Sequence, residues 1–392
     1  MMITPILIMA AVLAAPAAPP SIPQPEGAVF ALSTCGDCRH TRALVAGGAP
    51  GTFTAAWGAS ATFSTFFRTF DVNGNGGPER QIAPQSQSRA AGVGATGDGG
   101  FVLGWLHPGK LYAQRLTPTG APSGEAIHVN AGHPAGVDDD DPVLVAYPDG
   151  GFLVAWDRLQ RGTFETPVMT RRVDASGNLG PEVEVGRALA RTLPAACVTP
   201  KGTSVVGWSV QEVVPFEGPR PIGFSVRRLA PNGAALGKRI VVVPPVESFE
   251  YRTFALACAP DGGFAAAWYT GGKPARSGLD VVVQRFNAAG RKVGKPILVN
   301  LRVEGDQDRP ELLYGKDGRL LVVWASAEGD VREIRGRFLP AKGRPVEPEF
   351  VLHQGAPGAV IFQPAVTFVG ERGQFVLVWS EGGRVLGRVF RP

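Results

Sequence analysis

Short strands that are apolar on both faces recur along the chain, and each ends in a tryptophan. In the segment Phe152–Trp156 both alternating sets of side chains are apolar. A strand exposed on one face would alternate apolar and polar residues, so this pattern predicts burial between two layers. Seven copies lie 48 to 60 residues apart and end at Trp57, Trp105, Trp156, Trp208, Trp268, Trp324 and Trp379.

Other features recur around each tryptophan strand. A turn such as Asp261-Gly262 precedes five of them, and a loop of variable length follows each one. Next comes a strand that carries an arginine in six copies: Arg115, Arg172, Arg228, Arg285, Arg337 and Arg388. A glycine-rich turn and a fourth strand complete the unit. Each arginine is expected on an outer strand, pairing with acidic neighbours such as Glu182 or stacking on the tryptophan.

Repeats of this length indicate an array or a closed ring. The last copy stops at Pro392 without a fourth strand, and residues 25–32 near the N-terminus match the missing pattern. Pairing the two would leave no open sheet edge. We therefore predict an all-β, seven-bladed β-propeller of four-stranded antiparallel blades, closed by an N-terminal strand that completes the last blade. It would form one domain, residues 25–392, after a proline-rich leader at 18–24.

One repeat carries a resemblance to known proteins. The run Asp261-Gly262-Gly263-Phe264 before Trp268, then Gln284-Arg285-Phe286, then Val293-Gly294 and Val299-Asn300, resembles the propeller repeats of uncharacterised bacterial extracellular proteins. That resemblance covers nearly the whole chain after the leader. It implies the fold and is nearly silent on activity, because propellers host many unrelated functions.

Composition is consistent with many short strands. Glycine (52) and proline (35) are abundant, which suits tight turns and is unfavourable for long helices. The net charge of +5 is spread along the chain without a block of basic residues, so no nucleic-acid partner is expected.

Residues 1–17 have the pattern of a signal peptide, with an apolar run too short to span a bilayer, which predicts a secreted or periplasmic protein. No other segment is a membrane candidate. In an oxidising compartment Cys35 and Cys38 are expected to form a local disulfide. Cys197 and Cys258 occupy nearly the same place in consecutive repeats. If their registers match they point the same way, which predicts two buried thiols.

Variable loops on a rigid scaffold are the usual place for specificity. The loops after the tryptophan strands and the connections between blades share one face, called here the variable-loop face. Candidate ligand-binding residues on that face are Phe216, Arg220, Tyr269 and Arg276, together with two acidic groups, Asp138, Asp139, Asp140 and Asp141 and then Glu304, Asp306 and Asp308. The acidic groups would bind Ca²⁺ or a cationic ligand through oxygen donors, or they are solvated turns. The segment beginning at Asp71 mimics a calcium loop, but Ile82 stands where its last acidic ligand is due, so no metal is predicted there.

No catalytic motif is present, and none of the five histidines recurs with metal-ligand spacing. The leading hypothesis is a monomeric, secreted binding module, without a cofactor, that presents the variable-loop face to an extracellular protein, glycan or cell-envelope partner. The alternatives are a polysaccharide hydrolase or lyase with carboxylates at the channel mouth, and a structural component of the cell envelope.

Overall fold

A computed structural model of the chain describes residues 22–34, 40–49, 51–59, 64–82, 88–132, 134, 136–160, 162–163, 165–189, 191–214, 218–244, 254–271, 278–343, 345, 347–361, 364–370 and 373–391. Side chains are described for these residues except 40–42, 211–214 and 218–222. The predicted signal peptide and the pair Cys35 and Cys38 lie outside the described residues. Within these ranges no helix is long and apolar enough to cross a membrane.

The described chain forms seven four-stranded antiparallel sheets. Blade 1 contains β2 (His40–Gly47), β3 (Thr52–Ala59), β4 (Ser64–Asp71) and β5 (Arg80–Gln81). Blade 2 contains β6 (Arg89–Ala95), β7 (Phe101–His107), β8 (Lys110–Leu116) and β9 (Pro122–His128). Blade 3 contains β10 (Val137–Ala146), β11 (Phe152–Gln160), β12 (Glu165–Val173) and β13 (Leu179–Leu189). Blade 4 contains β14 (Ala195–Val198), β15 (Ser204–Val214), β16 (Gly218–Leu229) and β17 (Ala235–Val243).

The remaining blades follow the same order. Blade 5 contains β18 (Phe254–Cys258), β19 (Phe264–Thr270), β20 (Asp280–Phe286) and β21 (Lys292–Leu298). Blade 6 contains β22 (Asp306–Tyr314), β23 (Leu320–Glu328), β24 (Val331–Leu339) and β25 (Phe350–Gln354). Blade 7 contains β26 (Ala365–Phe368), β27 (Phe375–Glu381), β28 (Arg384–Arg391) and, as its outer strand, β1 (Gln24–Ala31).

The first strands of neighbouring blades contact one another all the way round the ring, including β26 with β2. These strands therefore line the central channel. Strand β1 pairs antiparallel with β28, from Gln24 opposite Arg391 to Ala31 opposite Leu386. The predicted seven-bladed ring and its closure by the N-terminal strand are both confirmed.

All seven tryptophans are buried, with at most 6 % of any residue exposed. Each belongs to the second strand of its blade. Trp324 packs with Ala265 and Ala267 of blade 5, and Trp57 of blade 1 packs with blade 7. Burial between two blades explains why these strands are apolar on both faces.

The Asp-Gly turns connect the first and second strands of a blade. In each of four turns the aspartate Oδ1 accepts a hydrogen bond from the backbone N–H two residues later, as Asp261 does from Gly263 at 2.8 Å. The glycine that follows the aspartate has a positive φ, such as +92° at Gly262. This backbone region is unfavourable for other residues, so the dipeptide itself specifies the turn.

The arginine strands correct one expectation, because most of these arginines bind backbone carbonyls of a neighbouring blade rather than carboxylates. In four blades the guanidinium donates to the turn between the third and fourth strands of the next blade: Arg115 to Asp174 O (2.9 Å), Arg172 to Pro231 O (3.2 Å), Arg228 to Ala288 O and Arg285 to Ala341 O (3.1 Å). Arg172 alone of the six also pairs with a carboxylate in the described structure, that of Asp149.

Arg337 and Arg388 belong to a different register. They lie opposite the residue two before the tryptophan, whereas the other four lie opposite the residue three before it. A shift of one residue reverses the face of a strand. Arg337 accordingly reaches back to Val299 O of blade 5 at 2.6 Å, and Arg388 donates to Gly27 O of its own blade at 3.3 Å.

Cys197 and Cys258 form a disulfide between blades 4 and 5, with Cα atoms 5.5 Å apart, so the prediction of two buried thiols is wrong. The reason is a one-residue offset. The cysteines are 61 residues apart, whereas Trp208 and Trp268 of the same two blades are 60 apart. Adjacent positions on a strand face opposite sides, so each cysteine points toward the other blade.

Candidate functional site

The candidate site lies where β10 of blade 3 begins, at the channel mouth on the variable-loop face. Asp140 lies opposite Asp157, and Asp308 of blade 6 lies opposite Ala325, in each case one residue after the blade's tryptophan. Each acidic group ends in a bulge with a positive φ, +46° at Asp141 and +50° at Arg309. The two acidic groups named from the sequence therefore occupy equivalent places.

The deeper part of the site is a buried ion network around Arg158. Its Nε donates to Asp139 Oδ1 at 2.8 Å, and its Nη1 donates to Glu182 Oε2 at 2.8 Å. The side chain of Asp139 is fully buried and also accepts Asn130 Nδ2 at 2.8 Å. Burial by itself would lower the pKa of Arg158, but the bonds to both carboxylates raise that pKa above its ordinary value. Both carboxylate oxygens of Asp139 are therefore engaged inside the protein.

The outer part of the site brings three blades together. Asp140 pairs with Arg89 of blade 2 and, at 2.6 Å, with Arg191, which precedes blade 4. Asp141 lies 3.6 Å from Arg89 and 3.9 Å from Arg191. The carboxylates are 9 % exposed as side chains and the arginines 55 %. The carboxylates thus lie beneath, and the guanidinium groups face solvent.

Asp157 lies opposite Asp140 in the neighbouring strand and is completely buried. Its Oδ2 accepts the backbone N–H of Thr192 at 2.5 Å, and its Oδ1 accepts the Thr192 hydroxyl at 2.6 Å. Burial raises the pKa of Asp157 to about 7, against the lowering effect of these bonds, and the nearby Asp141 charge adds to the rise. Near neutral pH this carboxyl is therefore only partly ionised.

The equivalent part of blade 6 is more open. Burial raises the pKa of Asp308; Arg309, 3.6 Å away, opposes that effect and Asp306 adds to it. Asp306 is exposed and accepts the backbone N–H of Leu279 at 3.1 Å, and Glu304 is exposed. The structure therefore places Asp308, and no other member of this group, in a half-buried position at the mouth.

The other predicted site residues do not gather here. Tyr269 is only 7 % exposed, in the second strand of blade 5. Phe216 and Arg276 lie outside the described residues, and Arg220 is described only as part of β16. The Asp71 segment is a turn in which both side-chain oxygens accept hydrogen bonds from Asn73 or Asn75.

In the first acidic group, the carboxylate oxygens that would bind calcium already pair with arginines. A calcium ion takes six to eight oxygen ligands, and no group of three or more candidate metal-ligating side chains occurs within the described residues. An ion at Asp139 or Asp140 would have to displace Arg158, Arg89 or Arg191.

Sequence reasoning missed these three arginines. Arg158 lies in β11 two residues after Trp156, Arg89 is the first residue of β6, and Arg191 precedes β14. Neither the repeat pattern nor charge clustering marks them, because they meet Asp139, Asp140 and Asp141 only across blade boundaries. One local feature is shared near these sites, because Pro142, Pro194 and Pro310 each follow a residue with a positive φ.

The ring and its mouth define the chain as a seven-bladed β-propeller with a charged channel entrance. No family model matches the chain, and no curated protein sequence matches it.

Solved structures share the fold at low sequence identity. The Dos1 propeller is 8 % identical, with a TM-score of 0.52 over 94 % of this chain and 95 % of that one. An α-L-arabinanase from Penicillium chrysogenum is 12 % identical, with a TM-score of 0.53 over 95 % and 99 %. An ulvan lyase, from a new family of polysaccharide lyase, is 10 % identical, with a TM-score of 0.56 over 89 % and 93 %. At these identities the likeness concerns the fold alone.

Proposed function

We propose that this chain is an exported binding module that holds an anionic extracellular polysaccharide at the channel mouth of the variable-loop face. The observation that carries the proposal is the pair Arg89 and Arg191. They come from opposite sides of blade 3, converge on Asp140 and Asp141, and keep more than half of each side chain exposed.

The chemistry of the pair favours an anion. A guanidinium group has five N–H donors in a fixed plane and binds carboxylate or sulfate oxygens with two parallel bonds. Among these four side chains Asp140 and Asp141 are buried beneath, so the two guanidinium groups are the exposed ones; Asp138, earlier in the same strand, is also exposed. Their ion pairs also hold both arginines in place before a ligand arrives, which reduces the entropy lost on binding.

Two further observations support an extracellular polymer. The disulfide between Cys197 and Cys258 is compatible with an oxidising compartment, as is the signal-peptide pattern of residues 1–17. The arabinanase and the ulvan lyase with the same fold are by name enzymes of polysaccharides. A propeller of this kind offers a broad face on which a polymer can lie.

The test is a binding measurement on residues 18–392 by calorimetry, with polygalacturonate, a sulfated polysaccharide and neutral arabinan, each with and without Ca²⁺. We expect binding of the anionic polymers that weakens as salt rises. Arg89→Ala and Arg191→Ala should each weaken it about tenfold, the effect of losing roughly 1.4 kcal/mol at a central contact.

Arg187→Ala is the matched control. Arg187 is 51 % exposed and pairs with Glu165 and Glu184 on the outer part of blade 3, so it matches Arg89 in charge and exposure but lies away from the channel mouth. Equal binding of neutral arabinan would show that negative charge is not what the site recognises. An equal loss of binding in Arg187→Ala would show that the polymer does not bind at the channel mouth.

A second candidate function rests on Asp308. A half-buried carboxyl with a raised pKa at a channel mouth is the kind of group that serves as general acid in glycoside cleavage. If the chain is a hydrolase or lyase, new chain ends will accumulate from one polymer of the screen, and Asp308→Asn will abolish their formation while binding persists. Binding without new chain ends would leave the binding module as the function.

A further inference from the structure

A pocket lies at the opposite end of the channel, on the face of the Asp-Gly turns. Its volume is about 470 Å³, within the range of 300–1,000 Å³ typical of small-molecule sites. The ends of the first strands of blades 2 to 6 form its wall, and Pro148, Pro200 and Pro260 stand at its rim. It is separated from the charged mouth by the length of the channel strands.

The pocket is asymmetric within a nearly symmetric ring. The last residue of the first strand is small in blades 2 to 5: Ala95, Ala146, Val198 and Cys258. At the same position blade 6 has Tyr314 and blade 7 has Phe368, and in blade 1 Gly47 meets the backbone of Phe368 so closely that a Cβ would lie 1.7 Å from its carbonyl oxygen. The channel end is therefore wider toward blades 2 to 5 and is bounded at blade 6 by the aromatic wall of Tyr314; Tyr147 of blade 3 also lines the pocket. Uniform packing of seven equivalent blades would not produce this difference.

The charges around the aromatic wall are unequal. Lys316 is the one charged residue among those that line the pocket, and it is exposed. Arg285 and Asp261 act on the pKa of Tyr314 with opposite signs, and the Nε and Nη2 of Arg285 are buried without a hydrogen-bond partner in the described structure.

Acidic residues on the same face do not line the pocket. Asp98, Asp149, Asp261 and Asp317 each accept the backbone N–H of their own turn, and two of them also pair with Arg172 or Arg319. Among the described residues that line the pocket, the charge is therefore that of Lys316, while the acidic groups bond within the turns around it.

The disulfide keeps this wall in place. Cys258 lines the pocket and is bonded to Cys197 of blade 4, so two of its five wall strands are covalently linked. A site held this way loses little freedom when a ligand enters.

We infer that this pocket binds a small carboxylate with a flat apolar body, its ring against Tyr314 and the prolines and its carboxylate at Lys316. The site is independent of the polysaccharide proposed for the other face. The pocket would bind a small acid at one end of the channel, while the opposite end binds the polysaccharide.

The experiment uses the mature protein and a pair of probes of equal shape, phenylacetate and phenylacetamide, with binding followed by ligand-observed NMR titration. We expect phenylacetate to bind roughly fivefold more tightly than the amide, the effect of one partly exposed ion pair. Lys316→Gln should remove this preference and leave amide binding unchanged, and Tyr314→Ala should weaken both probes.

Lys201→Gln is the control, because Lys201 is exposed in the equivalent turn of blade 4 but does not line the pocket. The inference fails if neither probe binds at millimolar concentration, if both bind equally to the wild type, or if Lys201→Gln abolishes the preference as Lys316→Gln does. Because polymer binding is measured separately with Arg89→Ala, either proposal can fail without the other.

Discussion

Asp157 offers the sharpest test of the site's electrostatics. It is fully buried, and burial raises its pKa from an ordinary value of 3.8 to about 7. Replacing it with asparagine keeps the shape of the side chain and removes the charge. The amide oxygen can accept the Thr192 N–H, and the amide nitrogen can donate to the Thr192 hydroxyl, which accepts as well as donates.

The magnitude follows from the pKa. Each tenfold change in proton affinity corresponds to about 1.4 kcal/mol, so a rise from 3.8 to about 7 makes ionisation about 4 kcal/mol less favourable in the folded chain than in the unfolded one. A carboxyl pKa that is raised in the folded state lowers the free energy of unfolding as pH rises. Below pH 3.8 the group is protonated in both states and costs nothing; between pH 3.8 and 7 the wild type loses stability as pH rises; above pH 7 the loss is constant.

We therefore expect Asp157→Asn to be close to the wild type in stability at pH 4 and more stable by up to about 4 kcal/mol at pH 8. The measurement is urea unfolding of both proteins at several pH values, followed by tryptophan fluorescence, since all seven tryptophans are buried. The quantity compared is the difference in free energy of unfolding at each pH, so acid effects common to both proteins cancel.

Asp174→Asn is the control for this prediction. Asp174 is exposed in a turn, and hydrogen bonds from Asn178 hold its pKa below the ordinary value. Its replacement should therefore give no gain in stability between pH 4 and pH 8. A stability difference between Asp157→Asn and the wild type that stays constant with pH would refute the reasoning, because it would show that Asp157 ionises in the folded protein as readily as in the unfolded one.

Three further predictions concern the ring itself. Cys197→Ser with Cys258→Ser should lower the free energy of unfolding by about 4 kcal/mol, the chain-entropy value for a separation of 61 residues, and added reductant should destabilise this variant less than the wild type. Gly94→Ala should cost about 1–3 kcal/mol, because its Cβ would lie 2.7 Å from that of Ala146 in the next blade; Gly77→Ala, whose Cβ would lie 3.6 Å from Thr69 O, should fold normally, and equal stability of the two variants would contradict the close approach. Removing residues 18–31 takes away the outer strand of blade 7 and should expose the edge of β28, giving aggregation in light scattering, whereas a monomeric and equally stable product would show that closure is dispensable.

The fold was readable in the sequence because one local pattern occurs seven times. Strands apolar on both faces, the tryptophan at their end and the Asp-Gly turn before them depend on residues close together in the chain, and they predict blades stacked on two neighbours. The closing strand was also accessible, since residues 25–32 match the one piece that the last repeat lacks.

Contacts between blades were decided only by the tertiary structure, because each depends on register to a single residue. The sequence shows that Cys197 and Cys258 are 61 residues apart, whereas the tryptophans of the same blades are 60 apart. To infer a disulfide from this offset, one must know that the first strands of neighbouring blades are in contact. Asp140 pairs with Arg89, which lies 51 residues before it, and with Arg191, which lies 51 residues after it. No local sequence pattern joins residues so far apart. The pocket beside Tyr314 arises in the same way, from differences among the strand ends that matter only once the ring has brought them to one place.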